Sequence, residues 1–358
     1  MKKKILFASY SLDVGGIETA LITLLKYLHD DYDITLALEK KQGIFLNDVP
    51  ENVKIIEYKI SNSKIVIIRK LKNFIKQLKF KMKYGNKFDF SVCYATYSLP
   101  CSFIARSASK KSALWVHNNY MNFYNNDIKQ YRGFFKKLET EKFNKIIFVS
   151  KLDKKIFTAQ FPECSKKAVF CNNLIDYNKI IDNSNELVDD FKREDKLVTF
   201  INIGRHDEKQ KKLSRIILAT KRLNKEGYKF RVVFVGKGMD TKSYKDLSKN
   251  VKNIEFLGAK KNPYPYLKMS DCFLMSSQFE GYPVVLVESQ ILGKPIVTTD
   301  ISDAKEDIDN KYGLVVENSS EGVYKGMKSF LENGFKTQDF DPKKYNEEII
   351  EKLNKIIG

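Results

Sequence analysis

Two glutamates lie eight residues apart in the segment Phe279–Ser289, and their surroundings favour a binding role. Glu280 follows an apolar run and a short polar turn, whereas Glu288 is flanked by valine, leucine and isoleucine. Pro283 suits the first turn of a helix, so we expect Glu288 inside that helix and Glu280 in the loop before it. A carboxylate among apolar neighbours is costly unless it has a partner. We expect both carboxylates to face one cleft, where they can accept hydrogen bonds from sugar hydroxyls.

A cluster of cations follows the apolar run 197–203. It begins with Gly204 and Arg205 and includes Lys209 and Lys211. Arginine presents a planar fork to phosphate oxygens, and lysine presents a mobile point charge. A helix is expected to start next, and its N-terminal dipole also favours an anion. Solvated surface charge is the alternative, but the position directly after a strand favours a phosphate-binding loop.

Three further candidates lie in the first half of the chain. Gly15 and Gly16 follow the first apolar run and open a helix, where glycines let the backbone approach an anionic ligand closely. The alternative is an ordinary tight turn. His117 closes another strand and can hydrogen-bond a substrate from there. The alternative is a loop histidine whose hydrogen bonds are satisfied locally.

Two successive series of strands and helices position these residues. Strands are predicted at 4–9, 33–38, 53–57, 89–94, 112–117 and 145–150, and then at 197–203, 230–235, 253–257, 271–276, 295–299 and 313–317. Helices fall between them, and this alternation predicts parallel sheets built from βαβ units. The polar, acid-rich stretch 172–196 is predicted to be the linker. Open parallel sheets bind ligands beyond the carboxyl ends of their strands, which is where the candidate residues lie.

The motifs together resemble family 4 of the glycosyltransferases, which have the GT-B fold. Glu280 and Glu288 match the E-x7-E motif of that family, and Gly204-Arg205 followed by Gln210-Lys211 matches its phosphate motif. Further matching segments are Gly15-Gly16, Phe148–Lys151 and Asn173–Asp176. Two departures occur: the spacing from Arg205 to the lysine is one residue longer than usual, so Lys209 is the fallback for Lys211, and Leu174 stands where the family has a glycine.

The resemblance implies a role for each candidate residue. Arg205 and Lys211 would hold the diphosphate of the donor and stabilise the leaving group, Glu280 would orient the donor sugar, and His117 would lie near its anomeric carbon. Glu288 would bind the ribose. Backbone groups would contact phosphate or sugar at Gly15, Gly16, Gly204, Gly281, Tyr282, Pro283 and Val284.

The implied fold is α/β, with two Rossmann-like domains facing each other across a cleft. Residues 1–175 would form the acceptor domain, with a C-terminal helix at about 343–358 packing back on it, and residues 176–342 would form the donor domain. The implied activity is retaining transfer from a nucleoside diphosphate sugar, most simply a UDP-sugar, to a lipid-linked or glycan acceptor in bacterial surface glycan biosynthesis. Neither a metal nor a cofactor would be needed. A sugar-nucleotide epimerase of related fold and a non-catalytic polyanion-binding protein are the alternatives.

Charge is unevenly distributed along the 358 residues. The formal net charge is +19, and residues 1–176 contain 31 basic and 16 acidic residues against 32 and 28 in 177–358. Such asymmetry favours an anionic partner for the first half. Codon bias towards lysine is the alternative, but it should load both halves alike. No nucleic-acid-binding motif is visible, so nucleic acid is not expected. Five scattered cysteines and three histidines indicate buried, reduced thiols rather than a disulfide framework or a zinc site.

A basic amphipathic helix is predicted over residues 64–84. Apolar residues recur there at helical spacing, and eight lysines and arginines occur without any acidic residue. One interpretation is an ordinary helix packed on the first sheet with a solvated basic face. The other is that its basic face rests on anionic lipid. With no apolar run long enough to span a bilayer, we expect a cytoplasmic protein that is peripheral at the inner face of the bacterial cell membrane.

Overall fold

The computed structural model describes residues 2–13 and 15–358 and divides into two compact units. The first unit comprises the residues up to Leu174 together with Asn346–Gly358, and the second comprises Ile175–Tyr345. The chain therefore passes from one unit to the other twice.

The first unit is built on a seven-stranded parallel sheet in the order β3-β2-β1-β4-β5-β6-β7. Its strands are β1 Lys4–Ser9, β2 Asp33–Leu38, β3 Lys54–Glu57, β4 Phe90–Cys93, β5 Ser112–Val116, β6 Lys145–Phe148 and β7 Ala168–Phe170. Its helices are α1 Gly16–Leu28, α2 Val66–Tyr84, α3 Leu99–Ala108, α4 Tyr120–Phe123, α5 Ile128–Lys137 and α6 Lys151–Gln160, with 3-10 turns at Ile44–Asp48, Thr140–Lys142 and Pro162–Lys167.

The second unit is built on a six-stranded parallel sheet in the order β10-β9-β8-β11-β12-β13. Its strands are β8 Val198–Ile203, β9 Phe230–Val235, β10 Ile254–Gly258, β11 Cys272–Met275, β12 Ile296–Thr299 and β13 Gly313–Val316. The helices that follow α6 are α7 Tyr177–Asn183, α8 Leu213–Lys225, α9 Thr241–Leu247, α10 Tyr264–Met269, α11 Val284–Ile291, α12 Ala304–Asp307, α13 Ser320–Asn333 and α14 Pro342–Ile357. The predicted fold class, two α/β units with parallel sheets, is confirmed.

Both faces of the first sheet are covered, which explains why its strands read as continuous apolar runs. One face packs on an aromatic cluster that includes Phe135, Phe143 and Phe157. On the other face, Phe7 and Trp115 line a small cavity together with Leu24 of α1 and with Leu353, Ile356 and Ile357 of α14. The C-terminal helix therefore contributes to the core of the first unit.

The polar stretch 172–196, predicted to be a linker, folds into the second unit over much of its length. It contains α7, whose start is capped by the Asp176 carboxylate accepting from the Lys179 N–H. Ile180 and Phe191 are buried in cores of that unit. The linker interpretation is wrong for this part because the asparagines and aspartates that mark linkers are also the residues that cap helices.

Each sheet reverses its winding direction between two central strands, which creates a switch point. The reversal lies between β1 and β4 in the first sheet and between β8 and β11 in the second. Loops on either side of a switch point diverge and leave a crevice beyond the carboxyl ends of the strands, where open α/β sheets bind ligands. The loops concerned include residues 10–13 and 94–98 in the first unit, and residues 204–212 and 276–283 in the second.

Helix α2 lies outside the core of the first unit. Its only buried residue is Phe80, which packs against Tyr58 and Phe103. The apolar stripe is exposed, from 38% at Ile68 to 82% at Met82, and also includes Val66, Ile67, Leu71, Phe74, Ile75 and Leu78. The interpretation in which this stripe packs on the first sheet is therefore wrong, because the helix touches the core through a different side.

Candidate active site

Lys211 and Glu280 meet at the switch point of the second sheet. Lys211 lies in the loop after β8 and Glu280 in the loop after β11, and the lysine Nζ is 2.6 Å from the carboxylate Oε1. Glu280 is only 7% exposed, and the Ser277 hydroxyl donates to the same oxygen at 2.8 Å. A buried carboxylate requires partners of this kind. The pair holds an ammonium group at the edge where ligands bind.

Gln210 joins Arg205 to the same carboxylate. The Gln210 Nε2 donates to Oε2 of Glu280 at 3.0 Å, and its Oε1 accepts from the Arg205 guanidinium at 3.0 Å. Arg205 also lies 3.2 Å from Asp207 Oδ2, and its side chain is 64% exposed. Arg205, Gln210, Lys211 and Glu280 thus form one network, in which the guanidinium remains accessible to an anion.

The loop after β8 and the loop after β11 are hydrogen-bonded to each other. The Gln278 N–H donates to the carbonyl of Gln210 at 2.7 Å, and the Ser276 hydroxyl is 2.9 Å from the carbonyl of Lys211 and 3.0 Å from that of Lys212. Lys212 adopts a left-handed conformation with φ 51°, which turns the chain into α8. These contacts fix where Lys211 points, and nothing in the sequence singled out Ser276 for this role.

Arg215 in the first turn of α8 braces the same loops. Its guanidinium donates to the Ser276 carbonyl at 3.1 Å, to Gln278 Oε1 at 2.7 Å and to Asn318 Oδ1 at 2.6 Å. Burial lowers the pKa of Arg215 from its ordinary value. A cation in the first turn of a helix opposes the helix dipole. That conflict is a sequence signal that could have identified Arg215.

The loop after β8 is also held by glycines in the loop after β9. Gly236 has φ 147°, and a Cβ there would overlap the carbonyl of Gly204. A Cβ at Gly238 would overlap the carbonyl of His206. These positions require glycine because the two loops are in backbone contact. Gly204 in turn lies close to the Lys211 side chain, since a Cβ there would be 3.8 Å from Cε of that lysine.

Glu288 lies in α11 and has a different partner. Its Oε1 accepts a hydrogen bond of 3.1 Å from the Tyr264 hydroxyl. Burial raises the pKa of Glu288 to about 7, and the hydrogen bond from Tyr264 partly offsets this rise. The partner that a carboxylate among apolar neighbours requires is therefore this tyrosine, which no sequence pattern identified.

The segment Gly281–Val284 leads from Glu280 into α11. Gly281 and Pro283 are buried, while Tyr282 and Val284 are half-buried. Pro283 is the N-cap and offers no side-chain acceptor to the first N–H groups of the helix. Those groups depend on a partner from outside the helix, and an anion or a sugar oxygen would suit them.

Gly15 is the N-cap of α1 in the first unit, and no side chain caps the helix there. The Glu18 side chain folds back so closely that a Cβ at Gly15 would overlap its carboxylate. Gly16 is exposed and has open space around it. One glycine therefore accommodates a carboxylate, and the other leaves its backbone accessible.

His117 follows β5, with its ring stacked on Trp115 at 5.7 Å and in contact with Tyr94 at 4.3 Å. Both ring nitrogens are buried and have no hydrogen-bond partner in the described part of the chain. Burial lowers the pKa of His117 to about 3, so the ring is neutral. The alternative of a locally satisfied loop histidine is wrong, because these nitrogens lack local partners.

The predicted site residues therefore fall into three groups. Arg205, Lys211 and Glu280 share one network beside Gly204, whereas Glu288 pairs with Tyr264 and follows the segment 281–284. Gly15, Gly16 and His117 belong to the first unit.

Within residues 2–13 and 15–358, no three His, Cys, Asp or Glu side chains are grouped so as to hold a metal ion. In the same residues, no helix is long and apolar enough to cross a membrane. All five cysteines are buried and free.

Comparison with known proteins shows which family the second unit resembles. The model of the family described as Glycosyl transferases group 1 matches residues 183–349, which include nearly all of the second unit. The solved structures that superimpose on this chain have the GT-B fold, and the region similar to group 1 glycosyl transferases contains the Lys211–Glu280 network.

Particular relatives come from both archaea and bacteria. An uncharacterised glycosyltransferase of Methanocaldococcus jannaschii is 27% identical over 283 residues, 76% of this chain and 67% of the relative. N-acetylgalactosamine-N,N'-diacetylbacillosaminyl-diphospho-undecaprenol 4-alpha-N-acetylgalactosaminyltransferase of Campylobacter jejuni is 27% identical over 337 residues, 90% of this chain and 89% of the relative. The crystal structure of Anabaena HepE with UDP and glucose superimposes with a TM-score of 0.75 at 17% identity, covering 98% of this chain and 99% of HepE.

Proposed function

We propose that the protein transfers a sugar from a nucleoside diphosphate sugar, with UDP as the carrier, to a lipid-linked or polysaccharide acceptor in bacterial surface glycan biosynthesis. The observation that carries this proposal is the Lys211–Glu280 ion pair, with Arg205 exposed beside it, at the switch point of the second sheet. Cations fixed in that position suit the diphosphate of a nucleotide sugar.

Arg205 and Lys211 bind the diphosphate and neutralise the charge that develops on the departing nucleotide. Preorganisation is the physical advantage here, because Glu280, Gln210 and the fastened loops hold both cations before the donor arrives. The geometry supports Lys211 rather than Lys209 as the phosphate ligand, since it is the Lys211 ammonium that faces the buried carboxylate.

Glu280 has a second role toward the donor sugar. While one oxygen binds Lys211, the carboxylate can accept from a sugar hydroxyl and orient the ring. Glu288 binds the ribose hydroxyls, and Tyr264 holds its carboxylate in position. The N–H groups of Gly281, Tyr282 and Val284 contact phosphate or sugar.

Transfer retains the configuration of the anomeric carbon. The acceptor hydroxyl attacks from the face that the diphosphate leaves, and the departing phosphate takes the proton of the hydroxyl. No protein nucleophile is required, and the charges of Arg205 and Lys211 take the place of a metal ion. In the first unit, Gly15 and Gly16 offer N–H groups that suit a phosphate or sugar oxygen, and a sugar hydroxyl would supply the partner that the buried nitrogens of the neutral His117 ring lack.

The relatives support both substrates. HepE is described in complex with UDP and glucose, and the Campylobacter enzyme is named for an acceptor linked to undecaprenol through a diphosphate. The same names favour transfer over the sugar-nucleotide epimerase. A purely polyanion-binding protein would have no need for the internally braced Lys211–Glu280 network, so this alternative is also the weaker one.

Helix α2 provides the contact with an anionic membrane surface. Residues 64–84 contain eight cations and no acidic residue, and each cation near anionic lipid contributes roughly 1 kcal/mol. The exposed apolar stripe adds burial in the interfacial layer, as in amphipathic helices that lie in the membrane plane. We therefore place the protein on the cytoplasmic side of the bacterial cell membrane, where a lipid-linked acceptor would be within reach.

Donor binding and turnover test the proposed function. UDP should raise the thermal unfolding midpoint, because a ligand that binds only the folded state stabilises it. Incubation with a panel of uridine and guanosine diphosphate sugars should then reveal slow hydrolysis of the true donor, and the hydrolysis should continue in the presence of a chelator. Absence of both a nucleotide-induced shift and hydrolysis across the panel would contradict the proposal.

A further inference from the structure

Two tyrosines lie at the switch point of the first sheet with their rings partly accessible. Tyr10 follows β1 and Tyr97 follows β4, and their ring centroids are 6.1 Å apart at an interplanar angle of 62°. Tyr97 is 45% exposed, although its neighbours Thr96 and Ser98 are buried. The loop thus presents one aromatic ring at the crevice while the rest of its residues face inward.

The Tyr97 loop is held firmly on both sides of the ring. The Thr96 hydroxyl donates to the carbonyl of Trp115, and the Ser98 hydroxyl donates to the buried carboxylate of Glu39. The Ser98 N–H also donates to the carbonyl of Ala95 at 2.9 Å. A ring fixed in this way loses little conformational entropy when a ligand stacks on it.

The Tyr10 loop is equally constrained. The Leu12 N–H donates to the carbonyl of Gln42 at 2.9 Å, and Gly43, at φ 122°, lies against Leu12 so closely that a Cβ would overlap its backbone. The Lys40 ammonium lies 4.8 Å from the centre of the Tyr10 ring. The crevice therefore combines two aromatic rings with one cation on a rigid base.

The aromatic pair adjoins the loop that we assign to the donor. Burial raises the pKa of the Glu18 carboxylate, the nearby Tyr97 side chain partly offsets this rise, and Glu18 folds against Gly15. An acceptor must lie beside the donor sugar for transfer to occur. The Tyr97 ring satisfies this requirement within the first unit, because the Glu18 side chain lies between it and Gly15.

We propose that Tyr97, supported by Tyr10 and Lys40, forms the subsite for a sugar ring of the acceptor. A pyranose has an apolar C–H face and a rim of hydroxyls, and a tyrosine offers a flat apolar ring with a polar tip, so the two are complementary. The pyranose stacks on the Tyr97 ring, and Lys40 donates to an oxygen at its rim. This inference rests on the proposed function, since it assigns the acceptor part of that activity.

Saturation-transfer difference NMR with simple glycosides tests the subsite. The probes are the methyl α-glycosides of glucose, galactose, N-acetylglucosamine and N-acetylgalactosamine, each measured with and without UDP on the full chain. At least one should receive saturation on one C–H face, and Tyr97→Ala should weaken its binding about tenfold, whereas Tyr97→Phe retains the ring and should bind nearly as well. Tyr32→Ala is the matched control, because Tyr32 lies directly before β2, at the amino ends of the strands and away from the crevice.

The outcomes separate this subsite from the donor site. UDP affinity, measured by calorimetry, should be unchanged in Tyr97→Ala, and a thermal melt confirms that each variant folds. Failure of every glycoside on the wild-type protein would overturn the inference. So would an equal loss in Tyr97→Phe and Tyr97→Ala, or a tenfold loss of UDP affinity in Tyr97→Ala, which would assign the ring to the donor. Failure of UDP to bind the wild-type protein would instead refute the proposed function, and the glycoside signals would still report on Tyr97.

Discussion

Each sheet carries a buried glutamate beyond the carboxyl ends of its strands, and the two carboxylates have contrasting partners. Glu280 in the second unit is paired with the Lys211 ammonium, whereas Glu39 in the first unit is hydrogen-bonded to the Ser98 hydroxyl and lies 3.5 Å from the Cys101 thiol. Burial raises the pKa of Glu39 from its ordinary value.

This difference indicates what each edge can bind. In the second unit, a fixed ion pair with an exposed arginine beside it suits a doubly charged diphosphate. In the first unit, the glutamate is hydrogen-bonded to neutral groups and the accessible surface is aromatic, which suits an uncharged sugar ring. Eight of the cations of the first unit lie away from this edge, in residues 64–84. The following changes test this contrast, from the largest expected effect to the smallest.

Lys211→Ala should reduce turnover about 100-fold, as expected for loss of one preorganised group that stabilises the transition state. Arg205→Ala should have a similar effect. Steady-state donor hydrolysis measures both, with Lys209→Ala as the matched control from the same loop. If Lys209→Ala were the damaging variant and Lys211→Ala nearly normal, the phosphate lysine would be misassigned.

Charge reversal on α2 should weaken binding to anionic vesicles by at least about 30-fold, since two cations that each contribute roughly 1 kcal/mol are lost. Lys72→Glu combined with Lys79→Glu is the preferred variant, because Lys76 is already engaged with the carbonyl of Lys59. Flotation with vesicles at low and high salt measures it, and the pair Lys225→Glu and Lys229→Glu on the second unit is the control.

The apolar stripe of α2 can be tested in the same assay. Phe74→Ser should reduce the part of the binding that survives high salt, because that part depends on apolar burial rather than on charge. Donor hydrolysis should be preserved in these α2 variants. A wild-type protein that remains unbound to anionic vesicles at low salt would show that the basic surface meets a soluble acidic acceptor instead.

Glu288→Ala should weaken UDP binding about tenfold, because a hydrogen bond from a ribose hydroxyl to a charged group is lost. Glu280→Ala should change UDP affinity less than Glu288→Ala does and should reduce turnover, since Glu280 contacts the donor sugar directly and affects the diphosphate only through Lys211. Titration calorimetry with UDP distinguishes the two carboxylates. Equal UDP affinity in Glu288→Ala and wild type would remove the ribose role.

The smallest effect concerns stability and pH. Glu288 has a pKa of about 7 when folded and 4.5 as its ordinary value, so the folded state binds more protons between these pH values. Stability should therefore fall as pH rises from 4.5 through 7 and level off at higher pH. Glu288→Gln removes this contribution. The melting temperature of the wild type minus that of Glu288→Gln should therefore be larger at pH 5 than at pH 8.

Two matched variants connect this pH test to the contrast between the sheets. Glu39→Gln should behave like Glu288→Gln, because burial raises the pKa of Glu39 as well. Glu280→Gln should lower the melting temperature even at pH 8, because it leaves the Lys211 ammonium without its charged partner. Stabilisation of the protein by Glu280→Gln at pH 8 would contradict the assigned ion pair.

The architecture was predictable because buried parallel strands leave a strong signal in sequence. Runs such as 197–203 and 230–235 match β8 and β9 closely, since a strand covered on both faces must be apolar throughout. Strand β7 was missed because it has only three residues. The helix of 64–84 was predicted, but periodicity fixes only which residues share a stripe and not whether that stripe meets a core or remains exposed.

The candidate site was predictable to the extent that its residues follow strands. Arg205, Lys211 and Glu280 could be selected because a turn after a strand places side chains at the ligand-binding edge. The contacts that hold them could not, because Ser276, Arg215 and Tyr264 are drawn from separate segments that only the folded chain brings together. Tyr97 was overlooked for the same reason, since its exposure between two buried residues is a property of the loop and not of the sequence.

The exposed apolar stripe of α2 also determines how this protein should behave in a test tube. Away from lipid, a contiguous apolar surface of this kind favours self-association as concentration rises. Apparent particle size should then increase with protein concentration, and a mild non-ionic detergent should disperse the aggregates. The double variant Leu71→Ser with Phe74→Ser should remain dispersed without detergent. Oligomeric states measured for the bare protein would in that case report on a missing bilayer rather than on a physiological assembly.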